Sequence, residues 1–163
     1  MQSASNRVAE GAASGAPGPQ PHIEFRKATG ALMPHVESYY LFRNDAREIR
    51  GVERVDLGQL RFMLRGEGEL IFPDGRIERS KPIMVNGPGT AAARYRIQGP
   101  FHCFGVSLRA IGWKALIGLP ADKVADSVVD GEKLFCGQAP LLLQRLRHMT
   151  TLEEMIAAVE PCS

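Results

Sequence analysis

The sequence predicts a single α+β domain, in which a small antiparallel β-barrel is followed by a group of short helices. The turning point is the stretch 99–119, where the spacing of apolar residues changes. An alternation typical of a half-buried strand comes first: His102, Phe104, Val106 and Leu108. Trp113, Leu116 and Ile117 then follow at helical spacing. Strand patterns lie upstream of this change and helix patterns downstream, which is the order expected of an α+β domain.

Composition restricts the class of protein. The chain has 163 residues, 44% of them hydrophobic, which suffices for one core without disulfide or metal staples. Its 20 basic and 18 acidic residues leave a net charge of +2, so no basic nucleic-acid-binding surface is indicated. Cys103, Cys136 and Cys162 are odd in number and widely spaced, which predicts no disulfide framework. With no apolar run of about 20 residues and no signal peptide, a cytoplasmic location is expected and no membrane partner.

Three segments are predicted. Residues 1–21 are rich in Ser, Ala, Gly and Pro and are expected to form a flexible N-terminal arm. Residues 22–109 are expected to form the β-barrel, and residues 110–163 a helical cap and linker.

The barrel strands are read from alternation and turn signals. Pro34–Arg43 predicts a strand with Tyr39 and Tyr40 on opposite faces, whereas the mixed-charge run 43–54 is interpreted as a solvated connection. Residues 59–79 predict a β-meander that bends at Gly66–Gly68 and turns at Pro73–Gly75. Two further strands are expected at 83–85 and 92–98.

Short helices are predicted after Pro120, at 121–127, 130–135 and 140–149. Thr151 and Glu154 have the spacing of a capping box, which places the start of a final helix.

Catalytic and metal sites are not indicated. None of the histidines His22, His35, His102 and His148 lies at ligand spacing from another, so neither a metal nor a cofactor is expected. Ser107 lacks the second glycine of a nucleophile elbow. Cys103 and His102 are strand neighbours that face opposite ways, so they form no nucleophilic pair.

A ligand pocket inside the barrel is the main site hypothesis. Aromatic side chains would supply apolar walls, and an arginine would hold an anionic group. The predicted lining is Phe62, Arg94, Tyr95, Phe104 and Trp113. Because Trp113 opens the helix after the last barrel strand, a ligand touching it is expected to shift that helix. The alternative is that Trp113 only plugs the end of the barrel.

The helix at 140–149 carries an apolar stripe that must be buried against the barrel or against a second copy. A homodimer is predicted through this stripe: Leu142, Leu143, Leu146 and Met149.

Several stretches together resemble a known family. They are Gln59–Gly68, Phe72–Gly75, Asn86–Thr90 and Phe104–Leu116, in order along the chain. They look like the N-terminal cupin-like sensor domain of AraC-type bacterial transcriptional regulators. The resemblance implies a cupin-like barrel that senses a small-molecule effector or mediates dimerisation, and DNA binding only through a C-terminal helix-turn-helix domain. No recognition helix follows Pro161, so this chain is expected to be an isolated regulatory domain, either truncated or stand-alone.

Two other functions stay open. A small cupin-fold enzyme, an isomerase or dioxygenase, would need a histidine-rich facial metal site, and this sequence lacks that spacing. A purely structural dimerisation domain would have a barrel packed solid by its aromatic side chains.

Overall fold

The computed structural model describes residues 22–53 and 56–160; the predicted arm at 1–21 lies outside them. The strands are β1 (His22–Lys27), β2 (Val36–Asn44), β3 (Glu48–Glu53), β4 (Gln59–Ile71), β5 (Ile77–Arg79), β6 (Ile83–Asn86), β7 (Ala93–Leu108) and β8 (Val128–Asp130). The helices are α1 (Ala110–Gly112), α2 (Ala139–Leu146) and α3 (Leu152–Val159), with a π-helical turn at Trp113–Ile117 and 3₁₀ turns at Gly30–Leu32 and Ala121–Lys123. The fold is therefore α+β, as predicted.

All strands pair antiparallel in one sheet of order β1-β2-β7-β4-β6-β8. The long strands β4 and β7 run through two halves of this sheet. The second half of β7, from Phe101, pairs with β2 and with the first half of β4. The first half of β7 pairs with β3 and with the second half of β4, which β5 extends. The two halves fold over one another.

The bend in β4 lies where glycines permit it. The register between β4 and β7 shifts twice between Met63 and Glu67, and Gly66 adopts a positive φ of 86° that favours glycine. The sequence therefore located the bend correctly, although the strand continues through it instead of ending.

The prediction of a closed barrel is wrong. Closure requires every strand to have a partner on both sides, and no pairing joins β1 to β8 within residues 22–53 and 56–160. Both of these outermost strands are short, and the sheet ends at them. The result is a folded antiparallel sheet with two distinct faces.

One face of the sheet is covered by the helices. Alternate residues of its central strands, together with the apolar sides of α2 and α3, form what we name the helix-side core. Its strand members include Leu41, Leu60, Phe62, Val85, Phe104 and Val106. Helix α2 packs on β4 and β6, and α3 packs on β2.

The other face lies inside the fold, between the two halves of the sheet, and we name its buried residues the inner core. They include Tyr40, Phe42, Met63, Met84, Tyr95, Phe101 and Cys103. Because side chains alternate along a strand, Tyr39 belongs to the helix-side core and Tyr40 to the inner core, as predicted.

Three connecting segments differ from their predictions. The run 43–54 contains β3, whose buried residue Ile49 pairs against β7. The expected helix at 130–135 is absent: Asp130 ends a strand that pairs with β6, and residues 132–138 form turns in which Phe135 and Cys136 have positive φ. Residues 121–127 form only the 3₁₀ turn at Ala121–Lys123.

The last helices follow the sequence signals. The Thr151 side chain accepts a hydrogen bond from the Glu154 amide at 3.2 Å, which caps α3 as the spacing predicted. Among the described residues, no helix has the length and apolar content to cross a bilayer.

Candidate functional site

A cavity lies between the two halves of the sheet, on the inner face. The volume open to the centre of a water-sized sphere is about 50 Å³. Each half of the sheet contributes to its wall: Tyr40, Arg61, Met63 and Cys103 from one, Leu70, Tyr95 and Ile97 from the other. We name this cavity the inner pocket. Its place between two packed layers is typical of small-molecule sites.

The walls are predominantly apolar. Phe42 and Phe101 meet edge to face with their ring centroids 5.8 Å apart, at the end of the pocket that β2 and β7 form. Met63, Met84 and Ile97 supply aliphatic surface. Gly105 leaves room for the Tyr40 ring, since a Cβ at position 105 would lie 2.0 Å from the Tyr40 side chain. Such a wall favours the apolar body of a ligand.

A buried ion pair forms the polar part of the wall. The Arg61 guanidinium donates to both carboxylate oxygens of Glu53, at 2.5 and 3.3 Å. The two side chains are only 7% and 14% exposed. This geometry is the bidentate pairing that stabilises a buried guanidinium, so the charges of Arg61 and Glu53 neutralise each other.

Two further polar groups hold Arg61 in position. Its Nε donates to the Tyr40 hydroxyl at 2.8 Å and to the Gln59 amide oxygen at 3.0 Å. The Tyr40 hydroxyl in turn donates to the same Gln59 oxygen at 2.6 Å, and Gln59 donates to Asp56 at 3.0 Å. The ion pair is therefore part of a connected network that fixes its orientation.

The environment sets the protonation of these groups. Burial alone would lower the pKa of Arg61, but the Glu53 carboxylate raises it well above its ordinary value, so the guanidinium stays charged. Burial raises the pKa of the Cys103 thiol to about 12, and burial also raises the pKa of Tyr40. Both groups are therefore neutral near pH 7, and the Cys103 thiol is a poor nucleophile.

A polar cleft lies at one side of the inner pocket and shares Gly68, Glu69 and Ser80 with its wall. The Gly68 amide donates to the Ser80 hydroxyl at 2.9 Å, and Arg96 forms an ion pair with Glu69. The atom-free volume of this cleft is about 710 Å³, solvent space included.

The structure separates the five residues predicted to line a pocket. Tyr95 lies on the wall of the inner pocket. Phe62, Phe104 and Trp113 belong instead to the helix-side core, and Arg94 is exposed on the outside of β7. The physical reason is the alternation itself: the wholly apolar strand face is the one that the helices cover, so the pocket lies on the opposite face.

Sequence reasoning missed Arg61 and Glu53 as pocket residues. Arg61 and Met63 alternate with Leu60 and Phe62, so the signal for a second inward face was present. Glu53 was hidden in the mixed-charge run at 43–54, because such runs are usually solvated.

The stripe predicted to mediate dimerisation packs within the chain. Leu142, Leu143 and Leu146 are at most 4% exposed and belong to the helix-side core, and Met149 packs against it. Leu141, on the other side of α2, is 56% exposed.

Comparisons with known proteins show which family this chain belongs to. A solved structure titled as the AraC-like transcriptional activator CuxR superposes with a TM-score of 0.47 at 13% sequence identity, covering 86% of this chain. This chain spans 58% of the length of that one. No curated protein sequence matches significantly. A family model matches residues 26–130, from β1 through β8. The chain belongs to the family DUF6597, described as a domain of unknown function.

Proposed function

We propose that this chain is the effector-sensing part of a bacterial transcriptional regulator of the AraC type, and that the effector binds in the inner pocket. The observation that carries the proposal is a largely apolar cavity between the two halves of the sheet, with the hydrogen-bonded Arg61–Glu53 pair in its wall. The sequence resemblance stated above supplies the regulatory context. DNA binding would belong to a further domain of the whole regulator.

The charge of the pocket wall suggests the class of effector. Arg61 is already neutralised by Glu53, so an added carboxylate would have to compete with Glu53 and leave it buried without its partner. Glu69 and Glu78, the other charged groups of the wall, pair with Arg96 and Arg76. The Cys103 thiol and the Tyr40 hydroxyl are neutral. We therefore propose an uncharged aromatic or aliphatic compound with one polar group directed at the network. The anionic effector held by Arg94 is not part of this proposal, because Arg94 lies outside the pocket.

A binding role suits this wall better than a catalytic one. The Cys103 thiol is held neutral, and the Arg61–Glu53 pair is locked by its hydrogen bonds. Among the described residues, no three His, Cys, Asp or Glu side chains are grouped as a metal site requires. The expectation of a non-enzymatic module therefore forms part of the proposal.

Thermal shift with a small panel tests the effector class. Phenol and cyclohexanone represent uncharged rings, and benzoate and benzylammonium are charged analogues of similar size. Uncharged rings should raise Tm in a concentration-dependent way, because binding to the folded state stabilises it by mass action. The charged analogues should leave Tm unchanged.

Cys103→Met tests whether the inner pocket is the binding site, because it extends a side chain into the pocket while the wall stays apolar. It should abolish the Tm response to uncharged rings. Cys136→Met, the same change at an exposed cysteine, should leave the response intact. A response that survives in Cys103→Met, or equal responses to phenol and benzoate in the wild type, would contradict binding in the inner pocket.

A further inference from the structure

The hydrogen bonds of Arg61 leave part of its guanidinium unused. A guanidinium carries five N–H groups and no acceptor. The Arg61 Nε–H is shared between Tyr40 and Gln59, and one N–H of each Nη donates to Glu53. The second N–H of each Nη donates to no atom of residues 22–53 and 56–160. Within that part of the chain, Arg61 therefore has donors without an acceptor.

These donors belong to a fixed side chain in the wall of the inner pocket. The Arg61 side chain is 7% exposed and borders the inner pocket, whereas the wall of the adjoining polar cleft does not include it. Its Nε and both Nη atoms are held by their partners, so the guanidinium is not free to turn toward solvent. The exposed part of Arg61 therefore faces the space that the effector would fill.

A ligand in the inner pocket has to satisfy these donors. Buried N–H groups are nearly always paired in native proteins. Water can accept from the Arg61 N–H groups while the pocket is open, but a ligand that fills the pocket displaces water from them. A ligand without an acceptor would then leave a charged donor buried and unpaired, which weakens its binding.

The acceptor that fits is an uncharged oxygen. A carboxylate would compete with Glu53 for the guanidinium, as argued above. A ligand donor, by contrast, answers no such need, because the oxygens of Glu53 and Tyr40 already accept from Arg61. A carbonyl oxygen supplies lone pairs without charge and without a proton of its own.

We propose that the inner pocket takes a carbonyl compound, such as a ketone, ester or amide, whose oxygen accepts a hydrogen bond from a free Nη–H of Arg61. This inference rests on the proposed function and specifies the polar group of its effector. Arg61 is then the residue that determines specificity, and the apolar wall holds the hydrocarbon part of the ligand.

The direct test compares cyclopentanone with pyrrole. Both are uncharged five-membered rings, but cyclopentanone only accepts hydrogen bonds, whereas pyrrole donates from its N–H and has no free lone pair. We expect cyclopentanone to bind the purified chain with a Kd on the order of 1 mM, as suits a ligand of so few heavy atoms. Pyrrole should bind at least about tenfold more weakly, because it leaves the Arg61 donor unpaired.

NMR of the chain labelled with guanidino-¹⁵N arginine locates the contact. Cyclopentanone should move the Arg61 Nη proton signals downfield, and pyrrole should not. The guanidinium of Arg94, which is exposed on β7, serves as an internal control and should keep its signals unchanged with either compound.

Arg61→Lys keeps the positive charge beside Glu53 but has fewer donors. Lysine has three N–H groups, which the oxygens of Glu53, Tyr40 and Gln59 can all accept, so none is left for a ligand. The variant should weaken cyclopentanone binding about tenfold and leave pyrrole binding unchanged. Arg94→Lys is the matched control and should alter neither. Where Arg61→Lys fails to fold, the affinity ratio and the Arg61 signals of the wild type decide.

Failure of this inference is distinguishable from failure of the proposed function. Equal affinities for cyclopentanone and pyrrole, both abolished by Cys103→Met, would overturn the carbonyl preference and leave the inner pocket as the effector site. Cyclopentanone binding that leaves the Arg61 signals in place, or that is unchanged in a folded Arg61→Lys, would overturn the contact with Arg61. If neither compound binds, and the rings of the thermal-shift panel also fail to bind, both the inference and the proposed function are wrong.

Discussion

Burying the Arg61–Glu53 ion pair carries a large desolvation cost. Two charges have been removed from water, and their attraction offsets the loss only because both guanidinium N–H contacts and the Tyr40 and Gln59 hydrogen bonds are in place. A packing role alone would be served as well by apolar side chains. In the proposed function, the pair serves recognition in the inner pocket.

Arg61→Met should destabilise the protein strongly, because it leaves Glu53 buried without its partner. We expect a loss of about 3 kcal/mol in the free energy of unfolding. Glu53→Leu combined with Arg61→Met should recover at least about 1 kcal/mol of that loss, since no charge is then stranded. Urea denaturation followed by circular dichroism measures both values.

Arg94→Met is the control for this pair, as an arginine of similar sequence context that is exposed on β7. It should change stability by no more than about 0.5 kcal/mol. If Arg61→Met is equally mild, the ion pair is not the fixed element of the pocket wall that the geometry indicates.

At the scale of elements, the strands show what alternation does and does not reveal. The pattern of β4 correctly placed Leu60 and Phe62 on one face and Arg61 and Met63 on the other. It did not reveal which face was enclosed by the second half of the sheet and which by helices. Both faces of β4 are buried at these positions, and the predicted pocket lining was taken mainly from the more apolar one.

The elements that the sequence missed share a cause. Strands β3 and β8 are short, and β3 is rich in charge, so each depends on pairing with a neighbouring strand for its conformation. Such tertiary dependence is not encoded in local periodicity. Helices α2 and α3, by contrast, have apolar stripes of their own, α3 is also capped by Thr151, and both form close to where they were predicted.

The π-helical turn at Trp113–Ile117 connects the sheet to the helices through Trp113. The indole Nε1 donates to the Leu119 carbonyl at 2.7 Å, and the Gly118 amide donates to the Trp113 carbonyl at 3.2 Å. A Cβ on Gly58 would lie 2.5 Å from the Trp113 ring. Gly58 lies between Asp56 and Gln59, so Trp113 touches the segment that reaches the pocket network.

Gly58→Ala should therefore change the environment of Trp113, the only tryptophan in the chain. The added methyl group would crowd the Trp113 ring. We expect the free energy of unfolding to fall by about 1–3 kcal/mol and the fluorescence emission of Trp113 to change. In the Trp113→Phe variant, where the ring is smaller, Gly58→Ala should destabilise the protein by at least about 1 kcal/mol less than it does in the wild type. An equal cost in both backgrounds would show that Gly58 is not packed against this ring.

At the scale of the whole molecule, the sheet separates two compartments with different roles. The helix-side core is built from aliphatic and aromatic side chains of both layers, and it provides much of the apolar burial that stabilises a domain of this size. The inner core retains space and polar groups. In the proposed function, stability and effector binding would therefore depend on opposite faces of the same strands.

The packing of α2 gives the whole-molecule prediction. Leu146 is fully buried against the sheet, whereas Leu141 is exposed on the same helix. Leu146→Glu should place a carboxylate in the helix-side core and cost more than about 4 kcal/mol, so the protein should lose cooperative unfolding by circular dichroism. Leu141→Glu, the matched control, should change stability by less than about 0.5 kcal/mol.

Sedimentation of each variant at several concentrations tests the predicted homodimer in parallel. A folded, monomeric Leu146→Glu from a dimeric wild type would mean that the stripe is an interface between chains, and the assignment of Leu146 to the core of a single chain would then be wrong.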